Sequence, residues 1–249
     1  MSGGAPAASG DYGALTEGTL LDGRVRYTQF AGGYRTGLEP VLLAASVPAA
    51  PGDRVLEAGT GAGAGLLCLA ARVPNLVGLG LERDPALATL AAANLATNGH
   101  TTITAFCADV LEWQPDAAFD HAFANPPWHE AASTPSPNPG RSGAKRAAPG
   151  LLGAWSVAMA ACLRRRGTLS LILPAASLAE GVAALVSAQC PEVTCIPLWP
   201  HADEAARLVV LRGVRLGRGP CVVAPGLVLH AENGFSAAAA RVLRDGGSI

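Results

Sequence analysis

Two stretches of this 249-residue chain carry side chains that could do chemistry. In VLEAGTGAG, Glu57, Gly59, Gly61 and Gly63 stand two residues apart at the end of an apolar run. Glycines at that spacing permit a tight turn and a close approach of backbone to ligand, with a helix N-terminus directly behind. In FANPPWHE, Asn125, Pro126, Pro127 and Trp128 follow the apolar run from Phe119 to Ala124. Proline lacks a backbone donor and fixes φ, so Pro126 and Pro127 end any strand entering from Ala124. Asn125, preceding a proline, is held extended. Its carboxamide and the nearby carbonyls are then fixed at a strand end, with Trp128 as a flat wall, which suits a planar group carrying an NH2. Two acidic residues lie between these stretches. Glu82 in GLGLERD could accept both ribose hydroxyls of an adenosine-containing cofactor, and Asp109 in CADV could recognise an adenine amino group.

The surrounding pattern must position these groups. DRVLEAG, NLVGLGLERD, TTITAFCAD, AFDHAFANPP and TLSLILP read as strands. GAGLLCLAARV, PALATLAAANLATNG, Leu151 to Leu163 and AASLAEGVAALVSA read as helices between or after them. Alternating β and α elements at this spacing predict an α/β fold with a parallel sheet and helices on both faces. The glycine loop, Glu82, Asp109 and Asn125 then sit at successive strand ends on one rim, where open sheets bind ligands. EVTCIPLWP, ARLVVLRGVR and CVVAPGLVLH read as closing strands with an antiparallel pair at one edge. SAAAARVLRDGG reads as a last helix capped by Ser236. At the front, Asp22-Gly23 in LLDGRVRYTQ signals a hairpin and GLEPVLLAASV a short helix. The expected organisation is a flexible tail over 1–18 and a single domain over 19–249. That domain has an N-terminal extension over 19–50 and a basic Pro/Ser/Gly-rich insertion over 130–150.

Composition narrows the function classes. Half of the residues are hydrophobic and 15% are charged, so a well-buried globular chain is expected. A formal net charge of −1 gives no global attraction to nucleic acid, and any such binding must use a local patch. The six cysteines form no CxxC pair and read as reduced thiols, with no metal centre expected. MSGGAPAASGDYG lacks the basic and apolar regions of a targeting peptide. The apolar stretch TLSLILPAASLAEGVAALV is broken by Pro174 and Glu180, which favours a buried strand and helix over a membrane span. A cytoplasmic location is the expectation.

The glycine loop alone would also fit NAD. With Glu82 and Asp109 following, ExGxGxG resembles the first motif of the class I S-adenosylmethionine-dependent methyltransferases. That resemblance implies S-adenosyl-L-methionine as cofactor, with Glu57 suited to its cationic end, and a Rossmann-like seven-stranded sheet whose last strand is antiparallel. NPPW is similar to the (D/N/S)PP(Y/F/W) motif of methyltransferases acting on a planar NH2: adenine N6, guanine N2 or a glutamine amide. GYRTGLEPVLLAA, with Gly37, and the closing FSAAAARVLRDGG resemble bacterial enzymes that methylate adenine N6 beside the anticodon of a valine tRNA. The implied partner is a single-stranded tRNA loop. Its cationic track would draw on Arg35 and on Arg141, Lys145 and Arg146 in the insertion, with Arg164 to Arg166, Arg24 and Arg26 as further candidates. A protein glutamine methyltransferase and a non-catalytic cofactor- or RNA-binding module are the competing readings. His129 adjoins the motif as a possible base.

Overall fold

A computed structural model describes residues 12–32, 35–115, 118–127 and 150–249. The chain opens with an antiparallel hairpin of β1 (Leu15–Leu20) and β2 (Val25–Phe30). Its turn places Leu21, Asp22 and Gly23 at positive φ, the conformation that Asp-Gly favours. Val25 and Tyr27 point into the core, as alternation predicts. The first strand starts inside the stretch expected to be a tail. Residues 15–18 are part of the hairpin, held by main-chain pairing although their side chains are largely exposed. Helix α1 (Glu39–Ser46) follows, with Pro40 in its first turn.

The α/β repeat then unfolds as β3 (Arg54–Ala58), α2 (Ala64–Arg72), β4 (Val77–Glu82), α3 (Pro85–Thr97), β5 (Ile103–Cys107) and β6 (Phe119–Ala124). It continues with α4 (Leu151–Ala161), β7 (Leu163–Pro174), α5 (Leu178–Ser187), β8 (Glu192–Trp199) and β9 (Leu208–Val214). Four two-residue strands, β10 (Val222–Val223), β11 (Leu227–Val228), β12 (His230–Ala231) and β13 (Gly234–Phe235), lead to α6 (Ala237–Asp245). Ser236 caps α6 by accepting from the Ala239 N–H at 3.0 Å.

In the main sheet the strands β3 to β9 lie in the order β8-β9-β7-β6-β3-β4-β5. All neighbours are parallel except β9, which runs antiparallel to both β7 and β8. The expected seven-stranded sheet is therefore present, and β10 and β11 extend it by short parallel pairings to β8. Side-chain alternation divides the core into two layers. Val55 of β3 joins the layer under α1 and α2, whereas Leu56 and Ala58 join the layer containing Met159 of α4 and Leu185 of α5. Among the described residues, no helix is long and apolar enough to cross a membrane.

Candidate active site

The strand registers bring the chemistry-bearing residues to one edge. Ala58, the end of β3, lies opposite Leu81 of β4 and Ala124 of β6, and Glu82 lies opposite Cys107 of β5. The glycine loop, Glu82, Asp109 and Asn125 thus begin within one or two residues of a common rim. The chain winds outward from β3 through β4 to β5, then returns to place β6 on the other side of β3. The β3–β6 boundary is a topological switch point, the place where open α/β sheets form a ligand crevice. The loop stands on one side of it and Asn125 on the other.

Gly59, Gly61 and Gly63 all have positive φ, at 66°, 57° and 89°. The loop is fastened to β4 by the Gly59 and Thr60 N–H groups, which donate to the Leu81 carbonyl at 2.8 and 3.1 Å. A Cβ at Gly61 would meet only open space, so room remains there for a ligand against the main chain.

Glu57 turns inward from the rim. On β3 it alternates with Leu56 and Ala58, so it faces α2, and it is 4% exposed. Its Oε2 accepts from the Thr60 hydroxyl at 2.5 Å and from the Leu66 N–H at 3.1 Å. Burial pushes its pKa up to about 8, with those two hydrogen bonds pulling the other way. Through these bonds Glu57 pins the loop and the start of α2 from behind.

Glu82 does reach the loop. Its Oε2 accepts from the Gly61 N–H and its Oε1 from the Asp84 N–H, each at 3.0 Å. Burial raises its pKa. Asp84 caps α3 through the Ala86 and Leu87 N–H groups and accepts from the Tyr12 hydroxyl at 2.6 Å. Tyr12 stacks on Phe30 with ring centroids 4.7 Å apart, so the N-terminal segment is tied to the rim beside Glu82. Asp109 fixes the turn after β5 by accepting from the Leu111 N–H at 2.9 Å. Asn125 is half-buried and Pro126 buried.

Arg35 is exposed ahead of α1, and a Cβ on Gly37 would run into the Glu39 carboxylate. Tyr27 and Gln29 steady this segment by bonds to Thr36. Trp128, His129, Arg141, Lys145 and Arg146 lie outside the described residues. The remaining arginine candidates are elsewhere. Arg164 to Arg166 open β7, which is parallel to β6, so they stand at the edge opposite the rim. There Arg164 pairs with Asp120, and Arg166 with Glu192 at 2.7 Å. Arg24 bonds Asp245, and Arg26 donates to the Thr97 carbonyl at the end of α3.

Two further contributors went unread in the sequence. Trp155 of α4 comes from a different chain segment to lie against Gly59. Asn94 of α3, 2% exposed, donates to the Ala62 carbonyl in the loop at 2.9 Å and bonds both backbone groups of Thr28. A polar residue on the buried face of the otherwise apolar PALATLAAANLAT was the only hint.

Residues 40–137 match the family model described as the methyltransferase small domain. Over 100 residues the chain is 37% identical to a tRNA1(Val) (adenine(37)-N6)-methyltransferase of Citrobacter koseri, covering 39% of this chain and 41% of that protein. Its likeness to the Actinobacillus succinogenes protein of the same name is 31% over 146 residues, covering 57% of this chain and 61% of the relative. The matches therefore span about two fifths to three fifths of these curated relatives. Among solved structures, a predicted O-methyltransferase from Agrobacterium tumefaciens superimposes with a TM-score of 0.70 at 24% identity, over 84% of this chain and 97% of that one. A further structure, of an S-adenosylmethionine-dependent O-methyltransferase from Thermotoga maritima, gives 0.54 at 16% identity, over 75% of this chain and 68% of that one. The chain has the Rossmann-like α/β fold of these solved structures, and its residues 40–137 match the methyltransferase small-domain family.

Proposed function

We propose that the protein is an S-adenosylmethionine-dependent methyltransferase acting on the exocyclic N6 of an adenine in a tRNA anticodon loop. The observation that carries this reading is the placement of Asn125-Pro126 across the switch point from the glycine loop. The residues present suit the cofactor. Glu82 offers carboxylate oxygens at the rim, Asp109 stands in the turn after the next strand, and Gly61 leaves open space beside the backbone. When bound, S-adenosylmethionine supplies a methyl group on a sulfonium, which is already a good leaving group.

The chain's own task is then orientation. The lone pair of an adenine NH2 is delocalised into the ring, which makes the nitrogen a poor nucleophile. The Asn125 side-chain oxygen and the Pro126 carbonyl accept its two hydrogens, turn the lone pair toward the cleft and disperse the positive charge that develops. The two prolines hold both acceptors rigid, so little reorganisation is needed during transfer. The base must leave its stack to arrive there, which an anticodon loop permits more readily than a duplex. Similarity to the named tRNA methyltransferases supports adenine N6 over guanine N2 or a glutamine amide.

The direct test incubates purified protein with methyl-labelled cofactor and total RNA, then identifies the labelled nucleoside. N6-methyladenosine is expected. A 2′-O-methyl nucleoside, N2-methylguanosine or no transfer would overturn the reading. In single-turnover assays Asn125→Ala should slow transfer by roughly 10²–10³, the usual consequence of losing one preorganised contact to the transition state. Cofactor affinity should stay near that of the parent.

A further inference from the structure

Among the described residues, Trp155 is a large aromatic side chain at the crevice to which the orienting role of Asn125 gives no task. Trp155 sits one turn into α4, half-buried, packed on one side against the core layer that contains Met159 and Leu171. Its six-membered ring reaches Gly59. A Cβ built on that glycine would stand 2.9 Å from Cη2 of the indole and 3.3 Å from Cζ3. Gly59 is thus demanded twice, by its φ of 66° and by the edge of the ring that reaches it.

The position of the ring along the rim matters. Glu82 closes β4 and Asp109 follows β5, on one side of the glycine loop. Trp155 belongs to the helix between β6 and β7, and those strands lie on the other side, where Asn125 stands. With its ribose at Glu82, a cofactor that delivers a methyl group to a base at Asn125 must direct its sulfur end toward the β6 side. The indole reaches Gly59 from that same side of the loop. The ring face of tryptophan is the most attractive aromatic surface for a cation, and the attraction grows as water is excluded.

Building on the methyltransferase reading, we propose that Trp155 is a ligand-discriminating wall of the cofactor cleft. Its ring favours the cationic sulfonium of S-adenosylmethionine over the uncharged thioether of S-adenosylhomocysteine, which helps spent cofactor to leave. A ring that touched only the groups the two ligands share would hold both equally, since they differ only in the transferred methyl and the charge on sulfur.

Calorimetric titration of the parent, Trp155→Leu and Trp155→Phe with each ligand separates these roles. Leucine keeps apolar bulk but has no ring face; phenylalanine keeps a packed ring and secures a folded comparison. For Trp155→Leu, S-adenosylmethionine affinity should fall about 3- to 30-fold. S-adenosylhomocysteine affinity should fall by a clearly smaller factor, and Trp155→Phe should lie between parent and leucine variant. An unchanged ratio of the two affinities in the variants would overturn the assignment, whether both ligands weaken together or neither does. If the parent itself binds neither ligand, the cofactor reading falls, and the role of Trp155 with it.

Discussion

At Gly65 the backbone leaves room for a carboxylate and nothing more. A Cβ there would collide with Glu57 Oε1, and the colliding group is a buried side chain already held by Thr60 and Leu66. Alanine is the better helix former by about 1 kcal/mol. Overpacking typically costs about 1–3 kcal/mol, and a carboxylate without space to retreat belongs at the upper end. Gly65→Ala should therefore lower stability in denaturant titrations despite its helix propensity. Glu57 itself gives a pH signature. Its pKa rises from an ordinary 4.5 to about 8 because the charged form is desolvated. The folded state then binds more protons than the unfolded state between those values. The contribution of Glu57 is fully present below about pH 4.5 and is lost as the pH rises through about 8. Glu57→Gln cannot titrate, so its stability relative to the parent should improve steadily from pH 5 to pH 8. A constant difference over that range would mean that Glu57 is ionised in the fold.

Helix α3 works as a clamp on the hairpin. Asn94 and Asn98, one turn apart, face β2 along the edge that β1 does not cover. Asn94 accepts from the Thr28 N–H at 3.0 Å and donates to the Thr28 carbonyl at 2.8 Å. Asn98 does the same for Arg26, at 2.9 and 2.7 Å. The two carboxamides replace the strand that an open edge would otherwise require. Because Asn94 also holds Ala62, the clamp links the hairpin to the glycine loop. Asn94→Ala strands three backbone groups and should cost roughly 2–4 kcal/mol, more than the half-buried Asn98→Ala. Amide exchange should quicken at Thr28 and in the loop but not across β7 and β9. Equal protection at Thr28 in both proteins would remove the clamp from the account. Local pattern could not announce it. Strand and helix identities follow from side-chain periodicity, which the sequence displays directly, whereas a clamp is a partnership between residues 66 positions apart. The start of β1 was hidden for a related reason. Leu15–Leu20 is mostly exposed and shows no apolar alternation, and only its ladder with β2 makes it a strand.

Across the whole molecule, the sheet has a chemical rim and a structural edge. The glycine loop, Glu82 and Asn125 were legible because each closes its own apolar run, and a parallel sheet gathers such run ends together. Trp155 and Tyr12 were not, because tertiary packing brings them to the rim from other segments. The arginines were ambiguous for the same reason. A run such as Arg164–Arg166 looks equally basic at either edge, and only the direction of β7 assigns it to the one opposite Asn125. Two of its members are also engaged by Asp120 and Glu192. Arg141, Lys145 and Arg146, by contrast, fall in sequence between Pro127, directly after the proposed acceptors, and Gly150, the N-cap of α4, whose Trp155 reaches Gly59. An RNA whose base enters at Asn125 must run its backbone past the rim. Each phosphate neutralised on a single strand contributes about 0.7 to the slope of log affinity against log salt. Replacing Arg141, Lys145 and Arg146 together by alanine should therefore flatten that slope by about 2 and weaken tRNA binding, while leaving cofactor affinity alone. Replacing Arg164, Arg165 and Arg166 should leave the slope where it was. Its effect should be a small loss of stability, about 1 kcal/mol or less for each surface pair removed. Filter binding of both variants at a series of salt concentrations checks the contrast. If the Arg164–Arg166 variant loses slope and the other does not, the RNA lies along the structural edge, and a base entering beside Asn125 can no longer be sustained.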